Sequence, residues 1–129
     1  MKKTLRLLFV FLLFFSLSSF DLCAQKKSRK MIKADESFAL EQYSAAAELY
    51  KKAYKKTKNK ALKAEIVFKQ AECYRLSSKV KQAQGYYKRA ILMKYPDVTV
   101  YLRYADMLRI QGDYEEAITQ YNKYIQFNP

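Results

Sequence analysis

The side chains that most often carry catalysis are scarce in this chain of 129 residues. Histidine is absent, which removes the commonest general base and metal ligand. Cys73 has no neighbour that would complete a nucleophilic dyad. The carboxylate pairs Asp35-Glu36 and Glu115-Glu116 are adjacent in sequence, so a helix splays them apart. No Gly-rich phosphate loop and no Cys-pair metal pattern occurs. These features argue against an enzyme, and neither cofactor nor metal is expected. What remains is binding chemistry. Arg75, Arg103 and Arg109 can each present paired N–H donors to a carboxylate.

Lysines supply the second kind of binding chemistry. Lys and Arg outnumber Asp and Glu by 25 to 12, a formal charge of +13. Lys26, Lys27, Arg29, Lys30 and Lys33 form one cluster; Lys51, Lys52, Lys55, Lys56, Lys58, Lys60 and Lys63 form another. In the second cluster, Lys pairs alternate with Tyr50, Ala53 and Tyr54 at helical spacing, the pattern of a solvated helix face. The same face is suited to an anionic envelope ligand, such as peptidoglycan or lipid headgroups.

The elements that position these groups are helical. Half of the residues are hydrophobic, with two Gly, two Pro and no Asn-Gly or Asp-Gly hairpin dipeptide, so an all-α fold is expected. Before it comes a leader: Lys2, Lys3 and Arg6 precede the apolar run Leu7 to Leu17. That run is about ten residues, against roughly 20 for a membrane-spanning helix, and reads as a secretory signal peptide over residues 1–24. Cleavage after Ala24 is favoured; Cys23 offers lipid attachment as the alternative, although Asp21 and Leu22 are bulkier than the residues usual there. The expected destination is the periplasm, with outer-membrane association open, and nucleic acid is a poor partner for such a chain. Cys73 would then be the sole mature cysteine, unable to form an internal disulfide, and its apolar helical position predicts a buried thiol.

Residues 25–129 carry an internal echo. Ala71, Ala83 and Tyr87 recur 34 positions later as Ala105, Ala117 and Tyr121. A fixed period of this kind marks a solenoid whose units bury their apolar faces only by stacking. The last unit, about 98–129, has apolar residues at Tyr101, Tyr104, Ala105, Leu108, Tyr114, Ala117, Tyr121 and Tyr124, with Gly112 between two helices. Gly112 suits a left-handed helix end, and Asp113 with Glu116 three residues on predicts a capping box. The preceding unit, about 64–97, has Ser78 and Val80 at the turn positions, which weakens the turn signal. A third copy, about 27–60, is three residues out of period, a surplus assigned to the loop Thr57 to Lys60.

This order of residue types resembles the tetratricopeptide repeat: large apolar, Ala, large apolar, a Gly-Asp-Tyr turn, Ala, Tyr and a terminal Pro129. The chain is also similar to the start of certain Bacteroidetes envelope proteins, through the stretch from Lys51 to Ile91 and Tyr101 to Ile118. In those proteins such repeats precede a β-propeller and an OmpA-like peptidoglycan-binding domain, and some belong to the type IX secretion machinery. The resemblance implies a non-enzymatic interaction scaffold, with other envelope proteins or peptide segments as partners.

Two surfaces follow as candidates. Tetratricopeptide folds hold peptides on the concave side of each unit's first helix, where Phe68, Glu72, Arg75, Leu102, Arg103, Asp106 and Arg109 are expected. The carboxylate clamp of chaperone-binding members does not fit, because Met31 and Asp35 occupy its Lys and Asn positions. The second surface is the last helix, whose Ile118, Tyr121, Ile125 and Phe127 form an open apolar end. Downstream domains or self-association are the expected covers. Tyr87 and Tyr121 are expected to fill the space between units with their hydroxyls at the rim.

Overall fold

The computed structural model describes residues 27–128, so the leader and Cys23 lie outside the described residues. Six helices follow in order: α1 (Arg29–Ala39), α2 (Tyr43–Lys56), α3 (Lys60–Leu76), α4 (Val80–Leu92), α5 (Thr99–Gln111) and α6 (Tyr114–Phe127). Each helix packs on its neighbours in sequence, giving three hairpins stacked in a solenoid. The all-α expectation therefore holds among the described residues.

The three-residue surplus does not lengthen a loop. It extends α3, which runs 17 residues against 11 in α1 and 13 in α5. Asn59 starts that helix by accepting the Leu62 N–H at 2.8 Å, so Lys60 begins a helix instead of ending a loop. The capping box at α6 is also absent: Asp113 caps nothing with its side chain, and Glu116 accepts from Gln120 Nε2 at 2.5 Å.

The turn between the helices of each unit is the same, although glycine occupies only one of them. Glu41, Ser78 and Gly112 all take positive φ, as does Lys94 after α4. Behind each, a 6→1 bond closes the helix: Gln42 to Ser37, Lys79 to Tyr74, Tyr95 to Ala90 and Asp113 to Leu108. Three L-residues thus sit in the left-handed region at a cost of roughly 1–2 kcal/mol each. Ser78→Gly is expected to gain about 0.5–1 kcal/mol, part of the relief being offset by a looser unfolded chain. Thermal unfolding checks this; an unchanged or lower midpoint contradicts it.

Ala34, Ala46, Ala71, Ala83, Ala105 and Ala117 are buried where helices approach most closely. Around them lie two continuous clusters. One joins Met31, Ala46, Tyr50 and Ala53 to Ile66 and Cys73 of α3; the other joins Val67, Ala83 and Tyr87 to Val100, Tyr104 and Met107. Helix α3 therefore serves both, with Ile66 and Cys73 facing back and Val67 facing forward.

Cys73 is buried, as its position predicts, and burial pushes its thiol up to about 12. Burial also raises the Tyr74 and Tyr95 hydroxyls to about 12. These groups hold their protons more tightly folded than unfolded. Above about pH 9 the unfolded chain releases protons that the folded chain keeps, so stability falls as pH rises toward about 12. Urea midpoints at about pH 8 and about pH 10.5 should show the loss; a flat profile would refute it.

Candidate interaction surfaces

The two helices of each unit are tied by a pairing that repeats in all three units. Tyr50 donates its hydroxyl proton to Asp35 Oδ1 at 2.6 Å, Tyr121 to Asp106 Oδ1 at 2.7 Å, and Tyr87 to Glu72 Oε1. Each acid lies 15 residues before its tyrosine, on the first helix of the unit, and each tyrosine lies on the second. The hydroxyls consequently act as ties between the two helices of each unit. Burial first, and the Glu72 bond second, push the Tyr87 hydroxyl far above its ordinary value, as burial and Asp35 do for Tyr50.

Glu72 is the most committed of the expected groove residues. It also takes two bonds from Arg75, at 2.6 and 3.3 Å, and lies 4.0 Å from Arg103 of the next unit. An acid held by a tyrosine and a guanidinium is not free to receive a cation from a peptide. Phe68 is likewise occupied, stacked on Tyr95 at 4.4 Å and packed on Tyr87 at 5.9 Å. Arg103 is half-exposed, Arg109 exposed and Leu102 half-buried. The expected groove residues therefore include exposed or half-exposed arginines beside acids that are already engaged. At the first unit, Lys27 bridges Asp35 at 3.0 Å and Glu65 at 3.7 Å.

The open end is clearer. Ile118, Ile125 and Phe127 are 59, 63 and 53 % exposed, joined by Tyr114 at 64 %. Tyr121 is instead partly buried in the second core cluster, and Phe127 also leans on Tyr101 at 5.6 Å. The acid–tyrosine ties fix which residues correspond between units. Ile118 corresponds to Gln84 and Ala47, Ile125 to Ile91 and Tyr54, and Tyr114 to Val80 and Tyr43. All six earlier counterparts are buried or half-buried because another unit follows them. Among the described residues, the third unit repeats the surface with no unit packed on it.

The opposite end differs in chemistry. Helices α3 and α5 dock on the unit before them through buried Ile66, Gln70 and Cys73, and through buried Val100, Tyr104 and Met107. The corresponding residues of α1 are Arg29, Lys33 and Glu36, all exposed. The leading face is charged and the trailing face apolar, so the solenoid has a direction.

Lys51, Lys52, Lys55, Lys56, Lys58 and Lys60 stand exposed, with Lys51 3.9 Å from Glu48. Among the described residues, no helix is long and apolar enough to cross a membrane.

Stacked helical hairpins with an exposed apolar face on the last helix define a repeat-built protein of the interaction type. A tetratricopeptide repeat model matches residues 33–91 and 77–129, and the chain belongs to the tetratricopeptide repeat family. Repeats of this family mediate protein–protein interactions. No curated protein matches the chain.

Proposed function

We propose that the chain is an exported, non-enzymatic scaffold of a bacterial cell envelope that holds another envelope protein against the trailing face of α6. The observation that carries this reading is the exposure of Ile118 and Ile125 at positions whose counterparts in both earlier units are covered. Burying two such side chains contributes roughly 1.5–3 kcal/mol each, enough to anchor an interface. Export is supported by the Lys2, Lys3 and Arg6 cluster before the apolar run. The resemblance of the repeats to Bacteroidetes envelope proteins supports a place in an OmpA-like or type IX secretion component.

A photocrosslinking residue placed at Ile118 or Ile125 in the native host should give discrete protein adducts, whereas one at Lys52 should not. Adducts at Lys52 alone, or at none of the three, would sink the proposal. The charged leading face also opposes head-to-tail growth, because stacking a second copy there would bury Arg29, Lys33 and Glu36. Sedimentation should show finite species with no concentration-dependent filament.

A further inference from the structure

Tyr54 gathers two cations from two different helices onto one ring. Lys63 Nζ of α3 lies 4.9 Å from the ring centroid and Arg89 Cζ of α4 lies 4.6 Å from it. The two charges are therefore within about 10 Å of each other, roughly one Debye length at 0.1 M salt. An aromatic ring accounts for attracting one cation; a second cation within about 10 Å adds like-charge repulsion. Among the described residues, neither forms an ion pair with a carboxylate.

The surroundings add positive potential. Tyr54 lies in the last turns of α2 beside exposed Lys55, and Lys63 lies in the second turn of α3. The N-terminus of α3 carries a partial positive charge that acidic side chains usually offset. No acid occurs in that first turn; Lys60 stands there instead, with Lys63 at the start of the next. Half-buried Tyr54 packs against both core clusters, which holds the ring in place beside the two cations.

We infer that Tyr54, Lys63 and Arg89 form a binding site for a phosphate group. Arg89 would supply paired N–H donors to two phosphate oxygens, Lys63 would add a point charge, and the α3 terminus would add its dipole. The site lies away from α6 and stands independently of the interaction proposed there.

The test uses the purified chain with two probes: inorganic pyrophosphate, followed by ring-proton shifts of Tyr54, and vesicles of phosphatidylglycerol in phosphatidylcholine, followed by cosedimentation. Arg89→Gln with Lys63→Gln is expected to weaken binding about tenfold or more, at the scale of two charge-assisted contacts. Lys51→Gln with Lys52→Gln removes equal charge from the same end of the protein and is expected to change it less than about threefold. Binding of pyrophosphate and vesicles alike supports a site that takes lipid headgroups; binding of pyrophosphate alone supports one for soluble phosphate compounds. Equal loss in the two double variants, or binding to neither probe, would overturn the inference. Circular dichroism of each variant separates loss of the site from loss of fold.

Discussion

Tyr87→Ala is expected to cost about 3–5 kcal/mol, the range for removing a buried large aromatic side chain. The ring is fully buried between the second and third units, packed with Ala83, Val100 and Tyr104. Its loss leaves a void that rigid helices cannot close, and it also frees Glu72 Oε1 of its hydroxyl donor. Because stacked units share their stability with neighbours, the loss should spread to α5 and α6 and not remain local. Tyr87→Phe separates the two contributions: it keeps the volume and should cost about 1–2 kcal/mol for the hydrogen bond alone. Urea unfolding of both variants checks the order, and equal costs would show that the ring itself contributes little.

Glu72→Ala is expected to cost about 2–3 kcal/mol, large for a side chain that sequence reading places in a binding groove. The carboxylate receives Tyr87 and Arg75 and approaches Arg103, so its removal leaves a buried hydroxyl and a half-buried guanidinium without their acceptor. Glu72→Gln should recover part of the loss, since its carbonyl oxygen can still accept from Tyr87. A Glu72→Ala variant as stable as the parent, but weakened in peptide binding, would return this residue to the groove.

Much of the fold was legible because it is written three times. The Ala and Tyr positions of the hairpins recur at a spacing that only stacked helices explain, and Cys73 falls where its apolar register places it. Turn chemistry was less legible. Ser78 and Glu41 adopt the conformation that Gly112 advertises, because the helix-closing bonds impose it at a cost the side chains do not reveal. The capping box failed for a related reason: Glu116 found Gln120 one turn on. Residue types place Arg75 near Glu72 on one helix, but they do not show that a tyrosine of the second helix also holds each acid. A signal was available in the acid that precedes each core tyrosine by 15 residues, at Asp35, Glu72 and Asp106. The same alignment would have shown Arg29, Lys33 and Glu36 standing where α3 and α5 carry docking residues. The convergence of Lys63 and Arg89 on Tyr54 could not be read in advance, since it depends on how three helices pack.

That the trailing face of α6 repeats a surface covered in the earlier units can be measured by comparing two matched substitutions under urea. Ile91 of α4 and Ile125 of α6 correspond, but among the described residues a unit follows only the first. Ile91→Glu should lose at least about 1.5 kcal/mol, because a charge would enter the junction with α5. Ile125→Glu should stay within about 0.5 kcal/mol of the parent, as an exposed position does. Equal destabilisation by the two would mean that the face of α6 is already covered, and would contradict its assignment as the open contact surface.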